Sequence, residues 1–119
     1  VYRCADGGYI TLGALEPQFY ALLMNKLGLS DVPLDKQYAV KDWPVLKARM
    51  TALFLSQPRQ HWCALLEGTD VCFAPVLSLD EAALHPHNIA RGTLARTPSG
   101  ATRSHAAPRF TPLPGVTGP

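Results

Sequence analysis

With 119 residues, 47% of them hydrophobic and 17% charged, the chain has the composition of one globular domain built on a single core. A net charge of +2 excludes the strongly basic footprint of a nucleic-acid-binding protein, and no apolar run reaches the roughly 18 residues of a membrane span. Without a basic leader followed by an apolar stretch, the expectation is a soluble, cytoplasmic protein whose partners are neither nucleic acid nor membrane.

In chain order, "YRCADGGYITLGA" places β-favouring residues on both sides of Asp6-Gly7, a dipeptide that supplies the positive backbone angles of a tight hairpin turn. Pro17 then opens a helix to Leu27, with Phe19, Leu22, Leu23 and Leu27 on its apolar face and Gly28 as a left-handed stop. A second helix is capped by Asp42, carries Trp43, Leu46, Met50, Leu53 and Phe54 at helical spacing, and ends near Gln57-Pro58. Ser56 is placed to cap a third, with Pro58 in its first turn, Trp62, Leu65 and Leu66 inward, and Gly68 as its stop. "DVCFAPVLS" predicts a short buried strand, with Pro75 restricting it to an edge or a bend. Ser78-Leu79-Asp80-Glu81 matches a capping box, and the following "HPHNIARGTLARTPSGATRSH" predicts a loop and then a strand pair around Pro98-Ser99-Gly100.

The fold class is therefore α+β: a small antiparallel sheet with three to four helices packed on it. Residues 1–110 form the domain, and 111–119, rich in Pro and Gly, form a linker tail. Because Val1 is no initiator and falls within the first strand, the chain reads as a piece of a longer protein. The sheet face away from the helices is then expected to be strongly apolar, as a surface the rest of that protein covers.

Candidate chemistry is sparse. Cys4, Cys63 and Cys72 have neither zinc-site spacing nor an even count, and are expected as reduced, small apolar residues. His85-Pro86-His87 lacks a third ligand, so it is expected to hold a loop with Arg91 through hydrogen bonds and not to bind metal. His61 and His105 have no carboxylate partner at a motif spacing, and Trp43 and Trp62 are expected in the core. Arg91, Arg96, Arg103 and Arg109 have no Gly-rich loop beside them and read as a solvated face. No metal and no cofactor-binding residue is expected.

One residue stands out. In "GALEPQFY" Glu16 falls at a helix N-cap, where Ser, Thr, Asp or Asn is preferred. The helix dipole and free amides there favour the ionised carboxylate, and the following proline pushes residue 16 to an extended backbone, turning its side chain off the helix axis. Cap and functional carboxylate both fit.

The order "YRCADGGYITLGALEPQFYALLMNKLGL", then "HWCALLEGTDVCFAPVLSLDEAALHPHNIAR", then "APRF" resembles the smaller domain of the α-methylacyl-CoA racemases, within the family III CoA-transferase superfamily. The resemblance runs from Tyr2 to about Phe110, and "GA-EPQF" is similar to the racemase branch in particular. It implies that Glu16 is an active-site residue beside a His and an Asp supplied by the family's large domain, neither of which has a matching motif here. It further implies a 2-methyl-branched acyl-CoA thioester as substrate, an interlocked homodimer, and proton abstraction and return at the α-carbon with no cofactor beyond the substrate's own coenzyme A. Two other readings stand beside it. One is a CoA-transferase domain, working through a covalent Asp of the large domain; the other is a non-catalytic dimerisation module.

Overall fold

The structure, a computed structural model, describes residues 1–107; residues 108–110 of "APRF", Arg109 among them, and the linker tail expected at 111–119 lie outside the described residues. Two compact units make up the chain, Val1–Val76 and the residues from Leu77 onward. The class is α+β, as the sequence predicts.

In the first unit, strands β1 (Tyr2–Arg3), β2 (Tyr9–Leu12) and β3 (Phe73–Val76) form an antiparallel sheet in that order. The register pairs Tyr2 with Ile10 and Ile10 with Pro75, so Pro75 sits on an edge strand, where its missing N–H is tolerated. Residues 4–8 join β1 to β2, closed by the Cys4 N–H on the Gly8 carbonyl (2.8 Å) and the Gly7 N–H on the Cys4 carbonyl (3.0 Å). Only Gly7 takes a positive φ there, +82°, the residue that completes such a loop.

Helix α1 (Pro17–Lys26) buries Tyr20, Leu23 and Met24, with Leu27 buried just beyond it. The apolar face is thus one residue round from the expected one, with Phe19 and Leu22 only half-buried. Gly28, at φ +68°, ends the helix with paired bonds from the Gly28 N–H to the Asn25 carbonyl and from the Leu29 N–H to the Met24 carbonyl, and both Leu29 and Met24 are buried beside this cap. A Cβ at residue 28 would meet nothing within 4 Å, so Gly28→Ala is expected to cost only the left-handed backbone term, about 1 kcal/mol, in a denaturant titration. Gly28→Asn is expected to recover part of that loss.

Helix α2 (Trp43–Leu55) follows two 3₁₀ turns, Leu34–Lys36 and Val40–Asp42. Asp42 already has helical backbone angles and makes no side-chain cap, which corrects the expected capping role. Helix α3 (Arg59–Leu66) is not capped by Ser56, whose hydroxyl donates instead to the Leu53 carbonyl at the end of α2 (2.6 Å). The cap comes from across the hairpin. Asp6 Oδ2 accepts the Arg59 N–H (3.1 Å), while Oδ1 accepts the Gly8 N–H (3.0 Å), so one carboxylate ties the β1–β2 loop to the start of α3.

The core lies between the sheet and these helices. Phe54 is fully buried, its ring 5.0 Å from Tyr2 and 4.9 Å, edge to face, from Trp62; the Trp62 indole N–H reaches the Phe54 carbonyl at 3.0 Å. Ile10, Leu66, Val71 and Cys4 are buried with it. Burial pushes the Cys4 thiol up from its ordinary pKa, in keeping with a small apolar residue. The opposite sheet face is mixed, with Arg3, Tyr9 and Val76 in one cross-strand row and Thr11 beside Ala74 in the next, and so is less apolar than expected.

In the second unit the Ser78 capping box is present, Ser78 Oγ accepting the Glu81 N–H (3.2 Å) and Glu81 Oε2 accepting the Ser78 N–H (2.8 Å), and it opens helix α4 (Leu79–Leu84). The expected loop at "HPHNIAR" is instead a second short helix, α5 (Pro86–Arg91), because Pro86 fits a first-turn position and Gly92 supplies a left-handed end at φ +54°. Strands β4 (Leu94–Arg96) and β5 (Thr102–Ser104) pair antiparallel around the predicted turn. None of the described residues of this unit is fully buried.

Candidate functional site

The segment that carries Glu16 leaves the sheet under close control. The Gly13 N–H donates to the Cys72 carbonyl (2.9 Å), and the Leu15 N–H folds back onto the Gly13 carbonyl (2.8 Å) in a tight turn. Among the described residues, Cys72 is the one non-glycine with positive φ, +51°, so the residue whose carbonyl holds the Gly13 N–H has a left-handed backbone.

At Leu15 the carbonyl accepts two side-chain donors, Gln37 Nε2 at 2.8 Å and Tyr38 Oη at 2.6 Å. Pro17 follows Glu16, has no N–H, and holds Glu16 extended at φ −71°, ψ 140°. Glu16's own carbonyl accepts the Tyr20 N–H (2.9 Å). The backbone is thus fixed before and after residue 16, whereas the Glu16 side chain is exposed and makes no cap bond. Glu16 stands at the N-terminus of α1 without serving as its side-chain cap. Among the described residues its carboxylate has no hydrogen-bond or ion-pair partner.

The loop that supplies Gln37 and Tyr38 is itself anchored to α2. Trp43 Nε1 donates to the Gln37 carbonyl (2.9 Å), which accounts for an indole that is 48% exposed and not in the core as expected. Arg49 grips Asp31 with both guanidinium nitrogens, at 2.6 and 2.8 Å, and this hydrogen bonding holds the Asp31 carboxyl below its usual range. An open, largely apolar groove lies beside the loop, lined by Val40, Trp43, Leu46, Lys47 and Met50 among others.

Within the first unit no other predicted polar candidate is paired with Glu16. His61 stacks edge-on against Trp62, 4.8 Å between centroids. His85 joins α4 to α5 and His87 lies within α5. Among the described residues neither imidazole nor the Arg91 side chain makes the expected hydrogen bonds; Asn88 does that work, its Nδ2 donating to the Ala82 carbonyl at 2.9 Å. Also among the described residues, no three His, Cys, Asp or Glu side chains converge as a metal site, and no helix is long and apolar enough to cross a membrane. Sequence reasoning missed Gln37 and Tyr38, which belong to no motif. Their only signal was a polar-aromatic pair in an unassigned stretch between two helices.

Residues 1–117 match the family described as CoA-transferase family III, and the chain belongs to that family. Over 115 residues, 97% of the chain, it is 36% identical to the α-methylacyl-CoA racemase of Homo sapiens and 37% identical to that of Mus musculus. The chain spans 30% of the length of each of these relatives. A CaiB/baiF CoA-transferase family protein of Caenorhabditis elegans is 27% identical over 100 residues, 82% of this chain and 27% of that protein. The fold is shared with the crystal structure of a variant of Rv3272 from Mycobacterium tuberculosis, at a TM-score of 0.69 and 19% identity, covering 92% of this chain and 32% of that one.

Proposed function

We propose that these residues form the small domain of an acyl-CoA racemase and contribute Glu16 to its active site. The observation that carries the reading is an exposed carboxylate, free of cap and ion pair among the described residues, on a backbone fixed at both ends within "GALEPQFY". The 36–37% identity to two racemases favours this branch over CoA transfer, for which the similarity is 27% to a CoA-transferase family protein.

The substrate is a 2-methyl-branched acyl-CoA thioester. A base takes the α-proton from one face, the C–H electron pair moves into an enolate, and an acid returns a proton to the opposite face, inverting the carbon with no net change in composition. This asks for two proton-transfer groups and no redox step. Glu16 is neither of them. It orients an imidazole from the large domain and stabilises the positive charge that imidazole gains. That large domain, in an interlocked homodimer, supplies the His and Asp.

Exchange of the α-proton of a 2-methylacyl-CoA for solvent deuterium tests the reading. The complete gene product is expected to catalyse exchange and inversion. The 119 residues alone are expected to give background only, because proton abstraction needs a base within about 3 Å of the α-hydrogen and a partner on the other face. Exchange by the isolated chain would assign the catalytic groups to these residues. CoA transfer to a carboxylate acceptor without inversion would assign the transferase branch.

A further inference from the structure

We propose that Gln37 and Tyr38 are positioning residues for the Glu16 carboxylate: by holding the Leu15 carbonyl they fix the peptide plane from which Glu16 departs. The inference rests on the reading that Glu16 takes part in the reaction.

The Leu15 carbonyl and the Glu16 N–H share one planar peptide unit, so fixing the first fixes the second. Two short donors, 2.6 and 2.8 Å, converge on this one oxygen, with Gln37 also reaching the Ala14 carbonyl at 3.4 Å. Leu15 is 68% exposed and Tyr38 63% exposed. Water would satisfy that carbonyl nearly as well, so the two bonds add little to stability; what they add is direction. Direction is what an orienting carboxylate requires, since a displacement of about 1 Å can lower turnover by about 100-fold.

The chain of anchors leads one way. Arg49 on α2 holds Asp31, Trp43 at the head of α2 holds the Gln37 carbonyl, and Gln37 with Tyr38 holds Leu15. Beyond Leu15, Pro17 and the Glu16–Tyr20 bond close the other side. Among the described residues the Glu16 side chain alone in this series is left without a partner, so the rigidity of α2 is delivered to a group kept free for something outside these residues.

The test compares Gln37→Ala with Tyr38→Phe, singly and combined, in the complete gene product, using deuterium exchange into a 2-methylacyl-CoA. The combined variant is expected to lower kcat about 10-fold with KM unchanged, and to have no further effect in a Glu16→Gln background. Tyr38→Phe alone, which deletes one surface hydroxyl and keeps the ring, is expected to change kcat in the same direction at an unaltered melting temperature. Should the combined variant fold poorly, this single change decides the matter. Full kcat in Tyr38→Phe and the combined variant, or an equal drop with Glu16 already replaced, overturns the positioning role. If Glu16→Gln itself leaves exchange unchanged, both the positioning role and the proposed function fall; a drop in Glu16→Gln with none in the others removes the positioning role alone.

Discussion

Glu16→Gln in the complete gene product is expected to lower α-proton exchange by about 10- to 1000-fold, the range for neutralising the charged partner of a catalytic imidazole. The fold should not change. Glu16 makes no side-chain cap bond in α1, and the amide of Gln is close to isosteric with the carboxylate it replaces. The helix start relies on Pro17 and on the Glu16 carbonyl, both kept in the variant. The loss should therefore appear in kcat, with the circular dichroism spectrum and melting temperature unchanged. If the variant loses stability in step with activity, Glu16 is a structural residue and the proposed role is wrong.

The largest effect on stability is expected at Phe54. Its side chain is fully buried between Tyr2 of the sheet and Trp62 of α3, and it sits on α2, so one ring joins three elements. Removing it leaves a cavity that Tyr2 and Trp62 cannot both fill, because the Trp62 indole is held to the residue-54 carbonyl by its own hydrogen bond. Phe54→Ala is expected to cost about 3–5 kcal/mol by urea denaturation, a large share of the 5–15 kcal/mol typical of a whole domain. Phe54→Leu keeps most of the volume and should cost less. A loss under about 1 kcal/mol for Phe54→Ala would mean that the three elements are not held through this ring.

What the sequence made legible follows from the range of the interactions involved. The hairpin, Glu16 at the head of α1, the Gly28 stop, the capping box at Ser78 and the β4–β5 turn are all set within a few residues, and each is legible in its own segment. The third helix is legible too, but its cap is not. Ser56 is adjacent and chemically suited, yet Asp6 takes the amide from 53 residues away. Trp43 lies on the same helical stripe as Met50 and Phe54, but the stripe runs past the end of the core there, and the indole closes a loop instead. "HPHNIAR" reads as a loop, whereas Pro86 occupies the first turn of a helix. The Gln37 and Tyr38 clamp on Leu15 joins residues 22 and 23 positions apart with no periodicity to mark it.

The order β1-β2-β3 also bears on how the first unit is assembled during synthesis. Strand β2 meets β1 across the short loop 4–8, but its other edge waits for Phe73–Val76, which the ribosome delivers only after α1, α2 and α3. Local pieces can form as they emerge; the sheet cannot. Until then Ile10 and Leu12 line an unpaired strand edge. Closing that long loop must be paid in chain entropy before the pairing returns anything, so completing the sheet is the slow, aggregation-exposed step for a nascent chain. A ribosome that stalls before Val76 leaves the hairpin most open to mispairing with a neighbouring chain.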